Sequence, residues 1–143
     1  MMIDIFKCFA ITNKHANVYL DQVLEPFGLC ACHRVFIMKI VQNPGITRDT
    51  LKNITHVHPS NTSRAIDYLE EKGFIIKSLK EEDKRICMLF PTDKLFEVYK
   101  VLEEAENNWI NIITEGMSKE ELESYKKFLS ISTELSVKYI HNK

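Results

Sequence analysis

Pro59 and Gly73 bracket one stretch of this chain and constrain it more tightly than any other pair of residues. Proline is tolerated at the first position of a helix, where its missing N–H has no intrahelical partner to lose. Glycine just past the last turn takes up the left-handed conformation that closes a helix. The spacing predicts a helix over residues 59–72. On a helical wheel Thr62, Ala65, Ile66 and Leu69 fall at i, i+3, i+4 and i+7 and form the buried stripe. Ser60, Asn61, Arg64, Asp67 and Glu71 lie opposite, with Ser63 on the flank. Directly after Gly73 come "FIIKSL" and "RICMLF", two β-rich stretches around the polar "KEED", which read as a hairpin.

The rest of the chain reads as helices. Residues 3–24 form a first helix, with Phe6, Phe9, Ala10, Ala16, Tyr19, Leu20 and Val23 among its apolar positions and Pro26 and Gly28 ending it. Residues 29–42 form a second, with Phe36, Ile37, Ile40 and Val41 on one side. "NPG" breaks it, and residues 47–54 form a short third helix capped by Thr47. "HVHP" is a turn. Thr92 opens a long helix to about residue 114, Gly116 stops it, and "SKEE" is a capping box for a last helix to about residue 140. The fold class is therefore mainly α with a small β-hairpin wing. A winged helix-turn-helix over 29–91 is flanked by helical segments, 1–28 and 92–143. The long outer helices carry more apolar surface than so small a centre can cover, so they are expected to pack on each other and on a second copy.

The outer face of the 59–72 helix carries short donors and acceptors and one arginine. That set suits a DNA major groove: Asn reads adenine, Arg reads guanine, and Ser reaches base edges or phosphates. Ser60, Asn61, Ser63 and Arg64 are the candidate base and backbone contacts. Arg85, just after the turn, suits a narrow, electronegative minor groove. Lys77, Lys80 and Lys84 lie within reach of phosphates. Asp83 would repel DNA if free, and is expected to hold the Arg85 guanidinium in one orientation. The bland reading of "KEEDKR" is a solvated charged turn; the helix before it shifts the weight toward DNA.

The stretch from Ser60 to Leu95 resembles the core of MarR-type transcriptional regulators. The matching residues are Ser60, Ser63, Arg64, Leu69, Glu70, Lys72, Gly73, Asp83, Arg85 and Thr92. Asn61, Pro91 and Leu95 depart from the pattern, as do Cys30, Cys32, His33 and Arg34 at the start of the second helix. The resemblance implies a homodimer built by the outer helices, with one winged helix per subunit and a pseudo-palindromic operator. It also implies an effector, either a small aromatic or anionic ligand or an oxidant. Arg34 is then the candidate anion partner, with Tyr19 as a wall.

Cys8, followed by Phe9, is the candidate redox residue, since oxidant-responsive members of that family keep a cysteine in this helix. A buried, inert cysteine on an apolar face is the competing and favoured reading. Cys30, Cys32 and His33 have metal-ligand chemistry. Residues at i, i+2 and i+3 at a helix start are not expected to converge, so no metal or other cofactor is assigned. His56 and His58 read as a turn residue and an unusual N-cap, and Cys87 as packing.

Charge supports the DNA reading modestly. Residues 34–90 carry ten Lys or Arg against seven Asp or Glu, while both flanks are net acidic. The small excess also keeps an alternative open, a winged-helix protein-interaction module without specific DNA binding. Hydrophobic residues make up 45% of the 143, enough for a folded core. No apolar run reaches the roughly 20 residues that a membrane span needs, and the N-terminal stretch lacks signal-peptide features, so a cytoplasmic protein is expected. An enzyme is not expected, because phosphate-cradling, H-E-x-x-H and G-x-S-x-G motifs are missing from the sequence.

Overall fold

In the computed structural model, which describes residues 2–142, the chain follows helix, three shorter helices, wing and two long helices. The elements are α1 (Ile5–Leu24), α2 (Arg34–Gln42), β1 (Ile46–Thr47), α3 (Arg48–Ile54), α4 (Pro59–Glu71), β2 (Ile75–Leu79), β3 (Cys87–Pro91), α5 (Asp93–Ile113) and α6 (Lys119–His141). Single 3-10 turns at Glu25–Phe27 and Ala31–His33 join α1 to α2. The chain divides into two units, one ending at Asn107 and one starting at Asn108.

The first unit holds the core. Leu20 and Leu24 of α1, Phe36, Ile37 and Ile40 of α2, Leu51 of α3, and Ala65, Ile66 and Leu69 of α4 are buried with Phe74, Ile75 and Leu89 of the wing and Leu95, Val98 and Leu102 of α5. The stripe expected on α4 is the stripe that is buried, Thr62 included. Thr62 tolerates burial because its hydroxyl donates to the His58 carbonyl at 3.3 Å.

Local rules account for the ends of the elements. Thr47 caps α3 by accepting from the Thr50 N–H, and His58 caps α4 by accepting from the Ser60 N–H. His56 takes a positive φ of 56° in the turn between them. Gly73, at φ +80°, closes α4, and the Phe74 N–H reaches back to the Leu69 carbonyl at 2.9 Å. Thr92 then ties the end of the wing to this corner, donating to the carbonyl oxygens of Gly73 (2.8 Å) and Phe74 (2.9 Å). In the second unit Ser118 and Glu121 form the expected capping box of α6.

Two features differ from the sequence reading. The wing is a three-stranded antiparallel sheet in the order β1-β3-β2, not a two-stranded hairpin. Ile46 pairs with Leu89 and Thr47 with Met88, so the residues that cap α3 also stitch it to the wing. A two-residue strand has no periodicity to read. The second helix does not begin at Leu29: Cys30 is extended (φ −133°, ψ 171°), a 3-10 turn follows, and α2 starts at Arg34.

The outer helices leave apolar side chains exposed, as expected. Phe6 is 87% and Phe9 55% exposed on α1, and α6 has no buried residue among those described. Phe128, Leu135, Tyr139 and Ile140 of α6 are all more than half exposed. Among the described residues, no helix is long and apolar enough to cross a membrane.

Gly73→Ala tests the closure of α4. A Cβ there meets nothing within 4 Å among the described residues, so the whole effect is backbone strain at positive φ. The expected loss in chemical denaturation is about 1–2 kcal/mol, and an unchanged midpoint would contradict the left-handed closure.

Candidate nucleic-acid interface

The outer face of α4 follows from its inner one. With Thr62, Ala65, Ile66 and Leu69 turned inward, Ser60, Asn61 and Arg64 are exposed and Ser63 is half-buried. Asn61 and Arg64 are one turn apart, and the guanidinium Nη2 donates to the Asn61 Oδ1. That contact uses one of the two lone pairs of the amide oxygen. The Ser60 hydroxyl lies 2.7 Å from His58 Nδ1, which fixes it at the start of the helix.

The wing tip behaves as its sequence implied. Arg85 donates from Nε to Asp83 Oδ1 at 3.0 Å and from Nη2 to Oδ2 at 3.1 Å, a two-point clamp. The Arg85 N–H also donates to Asp83 Oδ1 at 3.0 Å. The guanidinium remains 91% exposed while the carboxylate is two-thirds covered. The side-chain bonds from Arg85 hold the Asp83 carboxyl below the usual carboxylate range, and the same pairing raises the arginine. Lys80 and Lys84 are exposed on either side.

Lys77 has a different setting. Its ammonium lies 2.7 Å from Asp67 and 3.4 Å from Glu70, two carboxylates of α4. Burial opposes its charge, but the hydrogen bond and charge of Asp67 outweigh that and raise its pKa. Lys77 therefore joins β2 to α4. Arg48 of α3 reaches the same Asp67 Oδ1 at 3.4 Å. Sequence reasoning missed Arg48, because partners 19 residues apart leave no local signal. One carboxylate thus links α3, α4 and β2, and the hydrogen bond from Lys77 depresses its pKa.

The residues proposed for an effector belong to different helices, Arg34 to α2 and Tyr19 to α1. Arg34 is half-exposed and donates from Nε to Glu106 of α5. Tyr19 packs against the core from α1. A cavity of about 610 Å³ lies elsewhere, lined by Cys32, His33 and Phe36 on one side and Asn61, Arg64 and Tyr68 of α4 on another. Cys8 is a free, exposed thiol, so the favoured expectation of a buried cysteine is corrected: in this chain the first half of α1 has solvent on every side chain.

The cysteines before α2 also depart from expectation. Cys30 and Cys32 are joined as a disulfide, with Cα atoms 5.3 Å apart. The donor atoms of Cys30, Cys32 and His33 do converge, within 4.8 Å of one another. The reason is that Cys30 stands outside the helix in an extended conformation and folds its side chain over the first turn. There it accepts from the His33 backbone, while the Cys30 N–H donates to His33 Nδ1 at 3.1 Å. Burial pushes the His33 pKa down, partly offset by that backbone bond.

The arrangement is a winged helix-turn-helix with a polar exposed face on α4 and an arginine-tipped wing. Residues 35–87 match the MarR family model. The chain is 34% identical over 95 residues to the HTH-type transcriptional regulator YybA of Bacillus subtilis (strain 168), a match over 66% of this chain and 63% of that protein. It superposes on a MarR protein from Peptoclostridium difficile with a TM-score of 0.88 at 29% identity, covering 100% of this chain and 97% of that one. A MarR family regulator from Listeria monocytogenes, solved with a 26mer DNA, shares the fold at a TM-score of 0.85 and 23% identity, over 93% of this chain and 89% of that one. The winged-helix segment of this chain is thus similar to the MarR family, and the relative YybA, of which the chain spans less than two thirds, is a transcriptional regulator of helix-turn-helix type.

Asp67→Ala removes the carboxylate shared by Arg48 and Lys77. The Asp67 carboxylate is 60% exposed, so the expected stability loss is below about 1 kcal/mol. Amide exchange in β2 and at the start of α3 should nonetheless quicken; unchanged exchange in both would show that the carboxylate does not link them.

Proposed function

We propose that this chain is a sequence-specific DNA-binding regulator of transcription, acting in the cytoplasm as a homodimeric repressor on a pseudo-palindromic operator. The observation that carries the reading is the Asp83–Arg85 clamp. An arginine that is 91% exposed gains little stability from being held at two points in water. Holding it there makes sense if it must enter a narrow groove in one orientation. Ser60, Asn61, Ser63 and Arg64 on α4 supply the major-groove contacts, and Lys80 and Lys84 the phosphate contacts. Lys77 serves first to brace the wing on α4 and reaches phosphate only at the edge of that role.

The exposed apolar residues of α1 and α6 support the dimer. Side chains such as Phe6 and Leu135 are costly to leave in water, and a second copy is the partner that a two-fold operator requires. Residues 29–91 are the DNA-binding part, and the helical segments 1–28 and 92–143 the dimerisation part. An effector acts by changing the spacing of the two α4 helices, which shifts the population away from the operator-fitting state. An anionic ligand at Arg34 would compete with Glu106, with Tyr19 of α1 as the proposed wall. An oxidant would meet the exposed Cys8 thiol. The chain's role is binding, with no catalytic step.

Fluorescence anisotropy on a cognate operator tests the reading. Arg64→Ala is expected to cost about 1–3 kcal/mol and to relax base preference, because one direct base contact is lost. Arg85→Ala should weaken binding with less loss of preference. If neither substitution changes operator affinity, the assignment of α4 and the wing is wrong.

A further inference from the structure

The turn before α2 carries a cluster that the DNA-binding surface does not use. Cys30, Cys32 and His33 offer one donor atom each, all within 4.8 Å. Cys30 Sγ lies 3.4 Å from His33 Nδ1. A single cation bonded to one sulfur at about 2.3 Å and one nitrogen at about 2.0 Å requires the two to be roughly 3.5–3.7 Å apart, so that pair needs to open by only a few tenths of an ångström. We propose that Cys30 Sγ, Cys32 Sγ and His33 Nδ1, once the disulfide is reduced, form a three-coordinate site for the soft monovalent cation Cu(I).

The chemistry of the donors selects the ion. Two thiolates and an imidazole are soft ligands, which exclude calcium and magnesium. Zinc takes four donors in a tetrahedron and would need a water beside the three that this group supplies among the described residues. Three donors complete the coordination of Cu(I). The His33 backbone N–H already donates to the Cys30 sulfur and would stabilise its thiolate. At Nδ1 the cation replaces the Cys30 N–H, so one hydrogen bond is exchanged for one metal bond. Cys32 is exposed, which leaves the cation a path from solvent.

The site forms in two balanced steps. Two equivalents of a small-molecule thiol reduce the Cys30–Cys32 bond, giving two cysteine thiols and leaving as their own disulfide. Cu(I) then binds with release of the two thiol protons to solvent, and no electrons move.

The site also sits where it can act on α4. The His33 ring stacks on Tyr68, with centroids 5.0 Å apart and planes 11° from parallel. Tyr68 donates to the Gly28 carbonyl, which ties α4 to the same connection. A cation on Nδ1 fixes the ring against the recognition helix, so copper would alter operator affinity; this consequence rests on the DNA-binding reading above.

The test measures the metal without DNA, so failure of the DNA reading leaves it intact. The full chain, reduced and desalted without oxygen, is titrated with Cu(I) against the chelator bicinchoninate, with far-UV circular dichroism as the check on folding. One Cu(I) per chain is expected. The Cys8→Ser/Cys87→Ser variant should retain it, and the Cys30→Ser/Cys32→Ser variant should lose it. His33→Ala should weaken it at least about tenfold, the loss that even a residue supporting a ligand produces. The proposal is overturned if the Cys30→Ser/Cys32→Ser variant binds as wild type does, if removing Cys8 and Cys87 abolishes uptake, or if His33→Ala leaves the affinity unchanged.

Discussion

Burial of Ile66 and Leu69, neither with any solvent exposure, fixes the rotation of α4 about its axis. They share one buried cluster with Phe36, Ile37 and Ile40 of α2, Leu51 of α3, Phe74 and Leu89 of the wing, and Leu95 of α5. A helix so held cannot turn a different face outward without exposing several large apolar groups, each worth about 1.5–3 kcal/mol of burial. The polar face therefore sits where it does because the apolar face has nowhere else to go. Asp67 adds a second constraint at the rim, holding Arg48 and Lys77. The ion pairs add little energy, but they tie helix and wing together.

Much of this was legible in the sequence because it obeys local rules. Pro59 and Gly73 act within one turn of their own positions, as do Ser118 with Glu121 and Asp83 with Arg85. The buried stripe of α4 is a periodicity, and thirteen residues are long enough to display it. What escaped notice depends on residues distant in sequence or on short irregular backbone. The β1 strand exists only because β3 lies beside it. Arg48 and Lys77 meet Asp67 across 19 and 10 positions. The convergence of Cys30, Cys32 and His33 turns on one extended residue, which helical spacing cannot represent.

The surface divides into parts with different physical demands. The α4 face and wing tip are polar and rigidly held. α1 and α6 each carry exposed apolar side chains, which supports the proposed association with a second copy. The turn with Cys30, Cys32 and His33 borders α4, where the His33 imidazole stacks on Tyr68. A change of occupant there reaches the recognition helix through one ring contact.

Hydroxyl-radical footprinting of the purified chain on genomic fragments flanking its own gene tests the central claim most directly. The account predicts two protected half-sites related by inverted symmetry and centred about one helical turn, ~10 bp, apart, each with major-groove protection from α4 and adjacent minor-groove protection from Arg85. Uniform weak protection along every fragment, or a single unpaired patch with no minor-groove component, would contradict it.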